Sequence, residues 1–241
     1  MNLVRATWKN LLSRALDALA ARDCRLCGCP VEGGDTPLCA ACARDLPRRT
    51  APCCPNCALP VPGGEICGRC LRHPPAFDAT FAAFDYVFPL DVLVQALKYR
   101  HHLPLAGFFA REMARAPLPP VDLIVPMPLH PHRLRARGFN QAVELARPLA
   151  RALAVPLALE AASRVRDTVS QTSLDRSARL TNLRGAFACR RLDGRRVAVI
   201  DDVMTTGASL EVLARCLKTA GATAVYNLVA ARAPGFLIPD P

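Results

Sequence analysis

Lysine is scarce in this 241-residue chain, in which Lys9, Lys98 and Lys218 are the only three. The formal net charge of +11 therefore comes almost wholly from arginine. Because the planar guanidinium group pairs with phosphate oxygens better than an ammonium group does, this excess favours polyanionic ligands. Composition alone does not choose between a pyrophosphate-bearing small molecule and nucleic acid.

Long hydrophobic runs are also lacking. Charges at Arg5, Lys9, Arg14 and Asp17 interrupt the first 22 residues, which leaves no apolar core of a secretory signal. No later run is long enough to span a bilayer. We therefore expect a cytoplasmic protein without a transmembrane segment, whose thiols are reduced and available to metal. Apolar residues at helical spacing predict an amphipathic helix over residues 2–22, which packs on its own protein or on a partner, with a membrane-surface role as the alternative.

Cysteine, in contrast, is abundant and clustered, since ten of the twelve lie between Cys24 and Cys70. Eight of them form four CxxC pairs, whose two-residue gap lets both sulfurs bind one tetrahedral metal. Four pairs predict two structural zinc sites in a double zinc ribbon, with sequential and interleaved pairing both open. Disulfides or a redox centre fit four pairs in under fifty residues poorly. The predicted ligands are Cys24, Cys27, Cys39, Cys42, Cys54, Cys57, Cys67 and Cys70.

Alternating strand and helix patterns predict an α/β domain after the cysteines. Aromatic and β-branched residues over 77–88 favour a β-hairpin, and a helix follows it. A strand-like run ends at Val125 and is followed by three prolines and three arginines, which predict a rigid basic loop beyond a strand end. A helix is expected over 139–153, although Pro148 should kink or end it. The polar stretch 163–185 is a lid, a binding loop or disordered.

The rest of the sequence is organised around the stretch VAVIDDVMTTGAS at 197–209. Four apolar residues have the pattern of a strand buried on both faces, and a helical pattern begins after Ser209. The small residues between them can wrap a phosphate at a helix N-terminus, where backbone N–H groups are unpaired. Asp201 and Asp202 cannot bind phosphate, but their carboxylates can accept both hydrogens of a sugar diol. The stretch therefore predicts a ribose 5-phosphate site. A turn-capping acidic pair is the alternative, and a P-loop NTPase is excluded because GxxxxGK[ST] is absent.

All thirteen positions of this stretch resemble the phosphoribosyl pyrophosphate (PRPP) signature of type I phosphoribosyltransferases. The resemblance implies an α/β fold of that type, with a mainly parallel sheet flanked by helices. It also implies that Mg²⁺ accompanies PRPP near the two carboxylates, which are the expected catalytic residues Asp201 and Asp202. The residues expected to bind PRPP in this stretch are Val203, Met204, Thr205, Thr206, Gly207, Ala208 and Ser209.

The order of parts resembles the ComF family, in which a double zinc ribbon precedes a phosphoribosyltransferase domain. The segments that carry the resemblance are the CxxC pairs, ALKYR at 96–100, VPMPLHPHRLRARGFNQA at 125–142 and DTVSQTSLDRSARLTNLRGAF at 167–187. It implies domains at 1–22, 23–72 and 73–241. It also implies further site residues: Lys98 for PRPP, Arg133, Arg137 and Asn140 in a pyrophosphate-side loop, and Gln171, Arg179 and Asn182 in a flexible lid.

The family resemblance implies a role in natural transformation and DNA uptake, with single-stranded DNA and competence or DNA-processing proteins as partners. Two hypotheses follow. The first is a phosphoribosyltransferase that transfers ribose 5-phosphate to an acceptor the sequence does not identify. The second is a non-catalytic module that binds single-stranded DNA and uses the PRPP pocket as a sensor.

Overall fold

The computed structural model describes residues 22–31, 36–167 and 185–234. The chain divides into two compact units, residues 1–46 and 47–241, and each is described by itself. Two predictions lie outside the described residues: the amphipathic helix over 2–22 ends at their margin, and the lid residues Gln171, Arg179 and Asn182 fall between 167 and 185. The predicted domain boundaries stay a prediction.

The first unit is built around its cysteines. Strands β1 (Arg22–Asp23) and β2 (Pro30–Val31) pair antiparallel. Helix α1 (Ala40–Arg44) begins after Cys39, whose Sγ accepts a hydrogen bond from the Cys42 backbone N–H at 3.5 Å. The thiol thus takes the position that a hydroxyl usually takes at a helix N-terminus.

The second unit contains a four-stranded parallel sheet flanked by helices, which confirms the predicted fold class. Strand order is β3-β8-β7-β4, so the two central strands, β7 and β8, lie near the end of the chain. Its elements in chain order are α2 (Gly68–Arg72), β3 (Ala79–Asp85), α3 (Leu90–Tyr99), α4 (Pro104–Met113), β4 (Leu123–Pro126), α5 (Pro131–Arg137), α6 (Gln141–Leu153), β5 (Ala162–Arg164), β6 (Phe187–Cys189), β7 (Arg196–Met204), α7 (Ala208–Thr219) and β8 (Ala224–Arg232).

Strand β7 is the centre of the core. Its residues from Val197 to Ile200 are all fully buried, as a continuous apolar run in a parallel sheet predicts. Pro126 of β4 pairs with Ile200, and Asp201 pairs with Val229 of β8. The strand ends that carry polar residues therefore meet at one edge of the sheet, which is where parallel sheets bind ligands.

The predicted hairpin over 77–88 is wrong. This stretch contains one strand, β3, which pairs in parallel with β8 at the other end of the sequence. Aromatic and β-branched composition indicates a strand but not its partner, and no Asn-Gly or Asp-Gly dipeptide in the stretch supplied the tight turn that a hairpin needs.

The predicted basic loop after β4 contains a helix, α5. The Nδ1 atom of His130 accepts from the His132 backbone N–H at 3.3 Å, Pro131 occupies the first turn, and Gly138 ends the helix with a φ of +82°. These are the usual residues for a helix start and a helix end. Helix α6 also continues past Pro148 to Leu153, so the proline does not end it.

The cysteine pairs of the second unit belong to its hydrophobic core. Cys54, Cys57 and Cys70 are buried in the same cluster of side chains as Phe77 and Met204. Among the described residues, no helix combines the length and the apolar character needed to cross a bilayer.

Candidate functional site

An acidic pair lies near the end of the central strand β7. Asp202 is 4% exposed, and its Oδ2 lies 3.0 Å from Nζ of Lys98, which extends from the last turn of α3. Asp201 is half-buried, and its Oδ1 accepts a hydrogen bond from the Asp202 backbone N–H at 2.9 Å. The structure thus brings together Lys98 and the acidic pair, which are separated by about a hundred residues in sequence.

Electrostatics distinguishes the two carboxyls. Burial, together with the neighbouring charge of Asp202, raises the pKa of Asp201 to about 8. Burial also opposes the charge of Lys98, but attraction to Asp202 outweighs it and raises the lysine pKa. The Asp201 carboxyl therefore takes up a proton more readily than an exposed aspartate does, and in its protonated form it can donate as well as accept a hydrogen bond.

A tight loop joins β7 to the twelve-residue helix α7. Gly207 precedes the helix with a φ of +80°, and a Cβ at this position would lie 2.6 Å from Cε of Met204. The Thr206 hydroxyl accepts from the Ala208 backbone N–H at 3.4 Å, whereas Thr205 is exposed. The loop therefore holds glycine for steric reasons and presents the positive end of the α7 dipole.

Arg232, at the end of β8, donates hydrogen bonds to the backbone of this loop. The sequence analysis did not identify it as a site residue. It is fully buried, and its Nη1 donates to the carbonyls of Met204 at 3.0 Å and Thr205 at 2.5 Å. Its Nε donates to the Cys57 carbonyl at 2.7 Å. The only sequence signal is a charge that ends an apolar strand, which is also typical of a solvated strand end.

The two arginines predicted for the pyrophosphate side make different contacts. Nε of Arg133 lies 3.5 Å from Oδ1 of Asp167. The Arg137 guanidinium lies 5.4 Å from the ring centroid of Tyr99, and its Nη1 donates to Oε1 of Gln141 at 2.6 Å. Both arginines lie on α5, within the segment after β4.

Asn140 is half-buried, and both ends of its side-chain amide are hydrogen-bonded within the protein. Its Nδ2 donates to the Met127 carbonyl at 3.0 Å, and its Oδ1 accepts from the Ala142 backbone N–H at 2.9 Å. The side chain therefore caps α6 and fastens the segment after β4 to that helix. Its role as a ligand stays a prediction.

Two four-cysteine clusters form, and each joins consecutive CxxC pairs, so the pairing is sequential. Within each cluster the four sulfurs lie within 4.8 Å of one another. The Sγ atoms of Cys27 and Cys39 are 3.7 Å apart, and those of Cys57 and Cys67 are 3.6 Å apart. Tetrahedral zinc with bonds of about 2.3 Å needs sulfurs about 3.8 Å apart, so both clusters fit the ion. Their members are Cys24, Cys27, Cys39 and Cys42, and Cys54, Cys57, Cys67 and Cys70.

Two family models match the chain: a double zinc ribbon domain over residues 15–71 and a phosphoribosyl transferase domain over residues 140–235. The DNA utilization protein YhgH of Salmonella typhi is 36% identical over 212 residues, which cover 84% of this chain and 93% of the relative. Competence protein F of Haemophilus influenzae is 31% identical over 211 residues, which cover 81% of this chain and 90% of the relative. The chain belongs to the ComF family.

A solved structure is also similar to this ComF-family chain. It is the glutamine phosphoribosylpyrophosphate amidotransferase of Bacillus subtilis complexed with ADP and GMP, which is 19% identical with a TM-score of 0.37. The similarity covers 52% of this chain and 25% of that chain.

The clusters predict the zinc content of this ComF-family protein. We expect the purified chain to contain two zinc ions, and Cys54→Ser to contain one, because three thiolates hold the ion far more weakly than four. Cys53→Ser is the matched control, since Cys53 lies beside the second cluster but outside it, and it should retain two. Metal analysis by inductively coupled plasma mass spectrometry checks both, and two ions in Cys54→Ser would contradict the assignment.

The pKa of Asp201 predicts a pH dependence of stability. The folded chain holds this proton up to about pH 8, whereas the unfolded carboxyl loses it near 3.8. Between these values the folded state binds more protons, so the free energy of unfolding falls as pH rises. We expect Asp201→Asn to remove up to about 1.4 kcal/mol per pH unit of that slope, measured by urea unfolding.

Asp122→Asn is the control for this measurement. A side-chain hydrogen bond from Arg196 lowers the pKa of Asp122 to about 2, so its contribution is present at neutral pH and is lost only as pH falls through the acid range. The slope above pH 5 should therefore be unchanged in Asp122→Asn. The same slope in Asp201→Asn and in the unmodified chain would contradict the prediction.

Proposed function

We propose that this protein binds PRPP with Mg²⁺ in the cytoplasm and acts as a phosphoribosyltransferase, a pentosyl-transferring glycosyltransferase. The observation that carries the proposal is one strand end that joins Asp201 and Asp202 to a glycine loop at a helix N-terminus, with Lys98 beside the acids. An anion-binding loop and diol-binding carboxylates so close together suit a phosphorylated sugar.

In this proposal the residues from Thr205 to Ser209 bind the 5-phosphate through backbone N–H groups and hydroxyls. The carboxyls of Asp201 and Asp202 bind the two ribose hydroxyls. They are also the hard oxygen donors that Mg²⁺ prefers, and the ion would neutralise charge on the pyrophosphate. Lys98 contributes a cation beside Asp202, close to the ribose.

The proposed reaction displaces pyrophosphate. The lone pair of an acceptor nitrogen forms a bond to the anomeric carbon, and pyrophosphate leaves with the electron pair of the broken C–O bond. Arg133 and Arg137 of α5 supply positive charge on the pyrophosphate side. Gln171, Arg179 and Asn182, the residues predicted for the lid, would help to exclude water, which otherwise hydrolyses the sugar.

PRPP binding tests the proposal. We expect Asp202→Asn to weaken PRPP binding in the presence of Mg²⁺ by about 10- to 100-fold, because a charge-assisted hydrogen bond contributes about 1.5–3 kcal/mol. Gly207→Ala should weaken it similarly, since Gly207 has a φ of +80°, which strains the backbone of any residue with a side chain and so disturbs the loop. Isothermal titration calorimetry measures both.

Asp193→Asn is the control, because this exposed acid lies in the turn before β7 and should leave the affinity unchanged. Unaltered PRPP affinity in Asp202→Asn would show that PRPP does not bind at this site. A screen of nucleobases and amines for pyrophosphate release then separates transfer from binding, and no release with any acceptor would favour the sensor hypothesis.

A surface on α3 and α5 favours a second function, the binding of single-stranded DNA. The Tyr99 ring is 67% exposed, the Arg137 guanidinium lies 5.4 Å from its centroid, and the neighbouring Arg100 is also exposed. Aromatic rings beside cations stack nucleobases without sequence preference. Relatives named DNA utilization protein and Competence protein F support this proposal, as does the net charge of +11.

Titration with a labelled oligothymidylate at rising salt tests the DNA hypothesis. We expect affinity to fall steeply with salt, because each neutralised phosphate releases a counterion. Tyr99→Ala should weaken binding by about 5- to 100-fold through lost stacking. Phe88→Ala is the matched control, since Phe88 is 78% exposed and should not affect affinity. A flat salt response, or equal effects of the two variants, would contradict this hypothesis.

A further inference from the structure

Arg232 joins two parts of the second unit that have different chemistry. Among the described residues it is the largest fully buried side chain. Its Nε donates to the carbonyl of the zinc ligand Cys57, and its Nη1 donates to the carbonyls of Met204, Thr205 and Ala233. One planar guanidinium therefore spans the second four-cysteine cluster and the start of the loop that leads to Gly207.

Burying this cation is costly. Burial lowers the pKa of Arg232 to about 10, and the buried Nη2 has no hydrogen-bond partner within the described part of the chain. The backbone carbonyls and the neighbouring charge of Cys57 offset this cost in part. The cation therefore depends on partners in both the cysteine cluster and the loop.

The geometry of the guanidinium explains what the cation does. Its donors lie in a rigid fork, so a shift of the Cys57 carbonyl displaces the donor that holds Met204 and Thr205. The backbone of Cys57 is in turn fixed by what binds its sulfur, because the four sulfurs of the cluster are close enough to share one ion. Cys57 thus connects metal coordination to the loop through three consecutive contacts.

We propose that Arg232 is a positioning residue that couples the second four-cysteine cluster to the loop over 204–209. Zinc bound by Cys54, Cys57, Cys67 and Cys70 sets the loop geometry in which a ribose phosphate binds. The proposal deepens the proposed function and, where it concerns PRPP, rests on it. The cluster is then a metal-dependent control of the phosphate site as well as a structural support.

Linkage gives the coupling a measurable consequence. If zinc at the second cluster strengthens PRPP binding, PRPP must strengthen zinc binding by the same factor. Such factors are typically about 5- to 150-fold. The first cluster lies in the other compact unit and provides an internal reference within each sample.

Equilibrium competition for zinc between the full-length protein and the chromophoric chelator 4-(2-pyridylazo)resorcinol measures the coupling. We expect PRPP with Mg²⁺ to raise the affinity of the protein for one of the two zinc ions at least about fivefold. Pyrophosphate with Mg²⁺ at the same concentration corrects for zinc bound by the ligand itself. In Arg232→Lys, which keeps the charge but loses the fork, PRPP should have no effect on zinc affinity.

Arg49→Lys is the matched control. Nη2 of Arg49 donates to the carbonyl of Ala58, the residue after Cys57, while its Nη1 pairs with Asp85 on β3. This variant disturbs the same cysteine turn without touching the contacts to Met204 and Thr205. It should change the zinc affinity measured without PRPP and keep the increase caused by PRPP. An equal increase with PRPP in Arg232→Lys and in the unmodified chain would overturn the proposal.

Hydrogen exchange separates failure of the coupling from failure of PRPP binding. Without PRPP, we expect the amides over 204–209 to exchange at least about fivefold faster in Cys54→Ser than in Cys53→Ser, because local opening follows loss of the metal. This comparison tests the coupling even if the protein does not bind PRPP. It also does not require that Arg232→Lys folds. Equal exchange in Cys54→Ser and Cys53→Ser would overturn the coupling.

Discussion

Buried charge at one end of a parallel sheet is the constraint on which this structure depends. Lys98 and Asp202 form an ion pair against the central strand, and Arg232 is enclosed by backbone carbonyls at the end of the next strand. Each charge lowers stability unless its partner stays in place. The surrounding core therefore has to fix these partners within a narrow range of positions, and the same contacts fix the backbone of the loop before α7.

The parallel sheet explains how distant segments meet at this end. Strands β3, β4, β7 and β8 share one direction, so the segments that follow them leave the sheet at the same edge. Lys98 reaches the edge from α3, the arginines of α5 follow β4, and Arg232 closes β8. Local sequence patterns supply each residue, whereas the strand order determines which residues become neighbours.

Features with a local cause could be predicted from the sequence, whereas features that depend on the strand order could not. Strand β7, the glycine before α7 and the four CxxC pairs have local physical causes, namely a buried apolar run, a steric limit and tetrahedral coordination. The partner of β3 could not be predicted, because strand composition does not encode a partner some 150 residues away. Helix α5 was missed because prolines and arginines suggest a loop, although His130, Pro131 and Gly138 are typical helix-end residues.

The role of Arg232 could not be predicted from the sequence for a different reason. Its function depends on Cys57 and Met204, which contact it from two segments far from β8 in sequence. The cluster that includes Cys57 lies within the core of the second unit, where Cys54 and Cys70 pack with Phe77 and Met204. A metal that completes such a core cannot be lost without disturbing side chains on the sheet. The second four-cysteine cluster is therefore a structural part of the phosphoribosyltransferase-type unit, because its ligands pack in the same core as the residues that precede α7.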